Sequence, residues 1–194
     1  WHTFYNAFLN NNDRVIFCAQ LGPVGTLAIP VDQGTWTMGS TGTLDLMIRA
    51  GDSIGGGQTI SRSITLPRLA DTGVGIVQAV ATPTGSPVHT LQFIDNGVDT
   101  VTPFAKRTST FSAPPAYTSF TGFTYTSQDQ SSGNGFFAAD LVQGGSGPTA
   151  ITSANDSGVW KVTPAGDVTP VAREGDALPA TIGAGLKQGI VQRV

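Results

Sequence analysis

The sequence predicts an all-β protein, and three observations lead to this fold class. Thr and Gly each occur 25 times among 194 residues, whereas Glu occurs once and Lys three times. Long helices favour Glu, Lys, Ala and Leu, while Thr and Val favour pleated, half-buried strands. Segments in which apolar residues alternate with others recur along the chain, and this period of two indicates strands. The sequence shows no segment with the periodicity of an α-helix.

Composition also excludes several classes of protein. Hydrophobic residues make up 39% of the chain and include 10 Phe, which excludes a disordered protein. Charged residues make up 12%, and a net charge of −3 provides no basic surface for nucleic acid. No apolar run reaches the roughly 18 residues that a membrane-spanning helix needs. We therefore expect neither nucleic acid as a partner nor insertion into a membrane.

An alternating segment recurs at a constant spacing along the chain. The first example is Phe17–Leu21, and segments of the same pattern begin 60 and 120 residues later, at Val77 and Phe137. Each example is preceded, four residues earlier, by a turn former: Asp13, Gly73 and Gly133. Recurrence at a fixed spacing is the signature of a repeat protein, so we expect three tandem units.

A second recurrence supports the same division. The tryptophans Trp36 and Trp160, each two residues after a Gly, lie 124 residues apart. The same offset relates two further pairs, Arg49 to Arg173 and Asp52 to Asp176. In the middle unit, Phe93 stands in place of the tryptophan and Lys106 in place of the arginine.

The chain is expected to form a single domain, 1–194, with repeat units of about 60 residues. The units cover about 1–59, 60–116 and 117–176, and 177–194 begins a fourth. Each unit is expected to have about four antiparallel strands, which in the first unit are 3–9, 14–21, 26–37 and 43–50. Residues 60–69 are predicted as the first strand of the second unit, and the Gly- and Ser-rich stretch 144–157 as a loop.

Four-stranded units of this kind favour an arrangement like the blades of a β-propeller. Two alternatives remain open from the sequence: a three-fold β-trefoil or prism, and a short β-solenoid.

The repeated segments resemble the bacterial tandem repeat surface proteins that carry the motif Asn-x-x-Gly-x-x-Ala-Phe. The matching stretches begin at Asn10, Ala70 and Gln130, and each departs from the motif at one or more positions. Gly158–Trp160 and Arg173–Asp176 are similar to a later motif of the family, and Gly34–Trp36 and Arg49–Asp52 match it in part. The resemblance implies an extracellular, propeller-like, all-β scaffold without catalytic residues.

Candidates for catalysis are few. The segment Gly51–Gly55 fits the nucleophile pattern Gly-x-Ser-x-Gly around Ser53, but Gly55 is followed by two more glycines, which do not begin a helix. His2 and His89 have no repeated partners, and Cys18 alternates within a strand without a basic neighbour. We therefore expect no enzyme activity.

Metal and glycan sites are also weakly indicated. Asp52, Asp176 and the Asp95-Asn96 and Asn155–Gly158 segments offer oxygens for calcium, but they lack the spacing of a calcium loop and are typical of turns. We therefore expect no cofactor, with calcium as the open alternative. Asn155–Ser157 is also a glycosylation acceptor pattern. Arg49 and Arg173 are expected in structural Arg–Asp pairs or stacked on a tryptophan.

These observations favour a non-catalytic structural or adhesive module that is exported to the cell surface. The composition, with few Lys and Glu, is typical of an exported bacterial protein, and a single Cys excludes an internal disulfide. Its expected partners are other copies of itself, and glycans or other surface proteins. In this interpretation Trp36, Trp160 and Phe93 fill the core of their units. The alternative is a carbohydrate-binding module, in which the same three side chains would be exposed platforms for sugar rings.

The two ends of the chain suggest how copies associate. The tail begins a fourth unit and ends in an apolar strand, which leaves backbone donors and acceptors that natural sheets rarely expose. We expect this strand to pair with the first unit of its own chain or of another, and association that does not close makes filaments. The residues expected to take part are Leu186, Ile190, Val191, Val194, Phe4 and Phe8.

Overall fold

The computed structural model describes residues 3–22, 33–39, 41–54, 57–63, 67–83, 89–95, 101–106, 120–147 and 150–177. These residues contain thirteen β-strands in three antiparallel sheets and no α-helix. The predicted all-β, antiparallel fold class is therefore confirmed.

The first sheet is formed by consecutive strands in the order in which they occur along the chain. Its strands are β1 (Thr3–Leu9), β2 (Val15–Gln20), β3 (Gln33–Met38) and β4 (Leu44–Arg49). These bounds agree with the predicted strands within two residues wherever the residues are described, and 26–32 of the predicted third strand lie outside them. Strands that follow one another in sequence thus pair in space, which is the usual arrangement of an antiparallel sheet.

The second sheet departs from the prediction in its first strand. Its strands are β5 (Gln58–Ser63), β6 (Arg68–Leu69), β7 (Gly75–Pro83), β8 (His89–Asp95) and β9 (Val101–Lys106). The prediction of one strand over 60–69 is wrong, because β5 and β6 pair separately with β7. Pro67 directly precedes β6 and has no amide hydrogen, so it cannot contribute a donor to a continuous ladder.

The third sheet repeats the order of the first. Its strands are β10 (Phe120–Gln128), β11 (Gly135–Leu141), β12 (Ser157–Val162) and β13 (Val168–Arg173). In the described part of the stretch predicted as a loop, Gly144 and Ile151 form an isolated bridge before β12 begins at Ser157.

Equivalent residues are paired in the three sheets. Between the second and third strands of each sequence-predicted unit, the bulky residue of the alternating segment lies opposite a second large residue. These pairs are Phe17 with Trp36, Val77 with Phe93, and Phe137 with Trp160. Across the next pair of strands, the register shifts directly before the large residue of the third strand in all three sheets. The residues that lie opposite Trp36, Phe93 and Trp160 on the last strands are Leu46, Pro103 and Pro170.

The sheets pack face to face through two hydrophobic clusters. The first cluster joins the first and second sheets and includes Ile16, Met47, Val77 and Ala79. The second joins the second and third sheets and includes Ile76, Phe137 and Trp160. Because side chains alternate along a strand, Val77 of β7 points toward the first sheet and Ile76 points toward the third. Full burial of each large apolar side chain contributes about 1.5–3 kcal/mol.

One contact recurs at both sheet interfaces. Ile16 of β2 lies over Gly75 of the second sheet, with its Cδ1 atom 3.2 Å from the place where a Cβ would stand. Ile76 of β7 lies over Gly135 of the third sheet, so closely that a Cβ on Gly135 would clash with it. At each interface, therefore, an isoleucine of one sheet packs on a glycine of the next.

Candidate functional site

Apolar side chains form an exposed surface on the side of the first sheet that faces away from the second. We call this surface the open face, and its residues are Phe4, Val15, Phe17, Met38, Leu44 and Leu46. Phe4 is 61% exposed and Leu46 is 51% exposed. All of these side chains except Leu46 line a concave pocket of about 580 Å³, together with residues 5–7 and Gly42. Contiguous exposed apolar surfaces of this kind mark interaction sites.

A β-bulge determines which side chains of β1 reach the open face. The pairing of β1 with β2 shifts between Tyr5 and Ala7, and the intervening Asn6 has a φ of 36°. Phe4 lies before the bulge and contacts Phe17, with ring centroids 5.7 Å apart. Phe8 lies after it and packs toward the second sheet, where the Arg68 guanidinium lies 5.6 Å from its ring centroid. In a regular strand Phe4 and Phe8 would share a face.

The third sheet carries a comparable aromatic cluster on the face that packs against the second sheet. There Phe120, Phe137 and Trp160 are in contact edge to face, and each is at most 1% exposed. Ile76 and Val74 of the second sheet belong to the same cluster. In the first sheet, Phe17 stacks on Trp36 in the corresponding place, but Phe4 above them is exposed. The open face is thus the counterpart of a face that is buried elsewhere in the protein.

Three turns, one beside each sheet, contact in succession along the edge of the sheets. They comprise residues 10–13, 70–73 and 130–133, which we call the turn stack. The fourth residue of each turn has a positive φ: 56° at Asp13, 89° at Gly73 and 74° at Gly133. Glycine adopts this conformation at little cost, and Asn and Asp adopt it more readily than other residues.

Hydrogen bonds connect the first turn to the second. The buried Asn10 side chain donates to the Ala70 carbonyl at 2.8 Å, while its oxygen accepts from the amides of Asn12 and Arg14. The Asp71 carboxylate accepts from the amide and the side chain of Asn11, both at 2.9 Å. These bonds fix the first sheet against the second. The regular spacing of the turns in the sequence was the signal that could have found them.

The second turn is connected to the third in a similar way. The Asp71 amide donates to the Gln130 carbonyl at 3.0 Å, and the Gln128 side chain donates to the carbonyls of Val74 and Gly133. Within the third turn, hydrogen bonds from the hydroxyls of Ser132 and Ser131, and from the Ser131 amide, hold the pKa of Asp129 below its ordinary value.

The landmark residues of the sequence occupy structural positions. Trp36 and Trp160 are 6% and 1% exposed, so both belong to the core of their sheets. An Arg–Asp pair is present between Arg173 and Asp176, whose nearest side-chain atoms are 3.1 Å apart. In the first sheet, the Asp52 carboxylate instead accepts from the Arg49 amide at 2.7 Å.

Other candidates from the sequence are placed as follows. Ser53 forms an isolated bridge with Thr59, and the buried Cys18 thiol lies 3.2 Å from the Thr35 hydroxyl. The Asn155 side chain donates to the Ala150 carbonyl and accepts from the Thr152 amide. His2, Leu186, Ile190, Val191 and Val194 lie outside the described residues, as does the Asn96 part of the calcium candidate.

The described residues contain neither a cluster of metal ligands nor a membrane-spanning helix. Among the described residues, no group of three or more His, Cys, Asp or Glu side chains is gathered in a way that would hold a metal ion. The same part of the chain contains no helix of the length and hydrophobicity needed to cross a membrane.

Comparisons with known proteins identify a family without a known activity. No curated protein and no solved structure matches the chain. One family model, described as a family of unknown function (DUF7453), matches residues 1–188 of the 194. This match covers nearly the whole chain, and the protein therefore belongs to the DUF7453 family.

Proposed function

We propose that this protein is a non-catalytic structural or adhesive module that associates with further copies of itself at the cell surface. The single observation that carries the proposal is the open face. A buried counterpart of this aromatic surface exists on the third sheet, while Phe4 on the first sheet is 61% exposed. A contiguous exposed apolar surface is expected to be an interaction site.

The arrangement we propose is three tandem units placed like the blades of a propeller. Three features support it over a trefoil, prism or solenoid. Each sheet is built from strands that are consecutive in the chain, equivalent residues are paired in all three sheets, and adjacent sheets pack face to face. In a propeller, each blade covers one face of the next.

The extracellular location rests on composition and on the resemblance to surface repeat proteins. The scarcity of Lys and Glu and the single cysteine are consistent with an exported chain. The apolar tail residues, Leu186 to Val194, remain part of the proposal as contacts between terminal strands, together with Phe4. Phe8 is assigned instead to the interface between the first two sheets, where it contacts Arg68.

The burial of the tryptophans weighs against the carbohydrate-binding alternative. A sugar-binding platform needs an exposed ring face, and Trp36 and Trp160 are 6% and 1% exposed. We therefore expect glycans to leave the fluorescence of Trp36 and Trp160 unchanged.

Light scattering over a wide range of protein concentration tests the proposal. We expect the mass of the full chain to rise with concentration, and the Phe4→Asp variant to remain closer to the monomer mass. Deletion of 182–194 measures the contribution of the tail separately. A full chain that stays monomeric at high concentration, with both variants unchanged from it, would refute self-association.

A further inference from the structure

The contact that recurs between sheets identifies a surface for the next partner. At the first interface, Ile16 of the first sheet is seated on Gly75 of the second. At the second interface, Ile76 of the second sheet is seated on Gly135 of the third. Both contacts follow one rule: the isoleucine one residue before an alternating segment packs on the glycine that lies two residues before the alternating segment of the following sheet.

Applied to the third sheet, this rule identifies one residue that would pack on a following sheet, which a second copy would have to supply. The residue 60 positions after Ile76 is Phe136, whose side chain is half-buried on the side of β11 opposite Phe137. Its neighbours on that side include Ala138, and Lys161 lies directly opposite it on β12. We call this surface the outer face. It corresponds to the side of the first sheet that carries Ile16 against the second sheet.

The open face carries the matching position. The residue 60 positions before Gly75 is Val15, and Val15 lines the pocket of about 580 Å³ between Phe4 and Leu44. Valine is larger than glycine. The pocket beside Val15 nevertheless has space for an aromatic side chain, because its volume lies within the range of sites that bind small organic molecules. The open face therefore offers a pocket, and the outer face carries Phe136, the side chain that the recurring contact would place in this pocket.

We infer that the open face of one copy receives the outer face of a second copy, with Phe136 seated in the pocket beside Val15. This inference rests on the proposed function and adds the partner surface to it. The contact joins two different surfaces, so the association is head-to-tail and each added copy presents a new open face. A contact of this kind makes a ring where the rotation closes and a filament where it does not.

A complementation experiment tests this contact and distinguishes it from other modes of association. Phe136→Asp places a charge on the outer face and leaves the open face intact, whereas Phe4→Asp does the reverse. We expect each variant alone to be at least tenfold weaker in association than the unmodified chain, by light scattering. An equimolar mixture is expected to form dimers and nothing larger, because one intact face of each kind remains available.

Control variants keep the result interpretable. Thermal unfolding of each variant checks that it folds, and Ala138→Arg replaces Phe136→Asp if the latter does not. Phe136→Leu retains an apolar side chain and is expected to associate at nearly the original strength. Thr41→Asp changes an exposed residue of the turn between β3 and β4 that does not line the pocket, and it is expected to have no effect.

Four outcomes would overturn the inference. If the chain associates but Phe136→Asp has no effect, the contact is wrong while self-association stands. If Phe136→Asp still dimerises and Phe4→Asp does not, two open faces contact each other symmetrically. If the chain is monomeric until residues 182–194 are deleted, its own tail is the occupant of the open face. A chain that is monomeric with and without that deletion refutes both proposals.

Discussion

Phe17 and Trp36 lie directly opposite each other on β2 and β3, with ring centroids 6.0 Å apart and ring planes inclined by 20°. Phe137 and Trp160 are paired in the same way on β11 and β12. The two pairs differ in what lies above them. Phe120, which covers the second pair, is fully buried, whereas Phe4 beside the first pair is largely exposed. The corresponding aromatic side chain is therefore part of the core in the third sheet and part of the surface in the first.

Trp160→Ala is expected to destabilise the protein by about 3–5 kcal/mol, because it opens a large cavity in the cluster between the second and third sheets. Phe4→Ala is its control, since exposed substitutions usually change stability by less than about 0.5 kcal/mol. Urea unfolding at low protein concentration, where copies do not associate, measures both. Equal effects for the two variants would contradict the assignment of Phe4 to an exposed surface.

Asn10→Ala is expected to lower the free energy of unfolding by about 1–3 kcal/mol. The buried Asn10 side chain makes three hydrogen bonds. Its loss removes the acceptor of the Asn12 and Arg14 amides, whereas the Ala70 carbonyl keeps its hydrogen bond from the Gly73 amide. Asn12→Ala removes a single exposed bond to the Asp71 carbonyl and is expected to have a smaller effect. The comparison is made by chemical denaturation. A loss at Asn12 as large as that at Asn10 would show that the turn stack is not organised around Asn10.

Gly133→Ala is expected to be more destabilising than Gly42→Ala. Both residues have a positive φ, which costs a residue with a Cβ about 1 kcal/mol. A Cβ on Gly133 would also lie 2.9 Å from the Thr72 hydroxyl and 3.0 Å from the Val74 Cβ, whereas a Cβ on Gly42 meets nothing within 4 Å. Melting temperatures of the two variants give the difference. If they match, the second and third turns are not in close contact.

Asp129→Asn is expected to make stability less dependent on pH in the acidic range. Hydrogen bonds from Ser132 and Ser131 lower the pKa of Asp129 in the folded state. The stabilisation is therefore present above the pKa of the unfolded chain, and it is lost as the pH falls through the lower pKa of the folded state. We expect the variant to be less stable than the unmodified protein at neutral pH, with the difference shrinking on acidification. Unfolding curves at stepwise lower pH measure it, and a constant difference would contradict the assignment.

Much of the fold follows from local pattern. Apolar alternation around Phe17 and Phe137 predicted the strands, because side chains of a half-buried strand must alternate between the core and the solvent. The offset between Trp36 and Trp160 predicted equivalent positions, and the structure pairs Phe93 with Val77 in the same register. Large side chains at one sheet position are simple to recognise because few other places accommodate them.

Other features depend on contacts that the sequence pattern does not encode. The bulge at Asn6 reverses the direction of Phe8 relative to Phe4, and nothing in the alternation of β1 indicates where a strand gains a residue. The division of the second unit's first strand also escaped prediction, although Pro67 was a signal for it. The hydrogen bonds of Asp71 join turns that are far apart in the chain, and a turn-forming residue looks the same in sequence with or without such a bond.

One register position in the last strand of each sheet is a proline in two of the sheets and a leucine in the first, and this difference bears on aggregation. Pro103 in β9 and Pro170 in β13 occupy the register position that Leu46 occupies in β4. A proline has no amide hydrogen to offer, so it discourages a foreign strand from adding to a sheet edge. Concentrated solutions are therefore expected to begin any amyloid-like, edge-to-edge aggregation at β4. Leu46→Pro would place at that edge the proline that the corresponding edges of the second and third sheets already have.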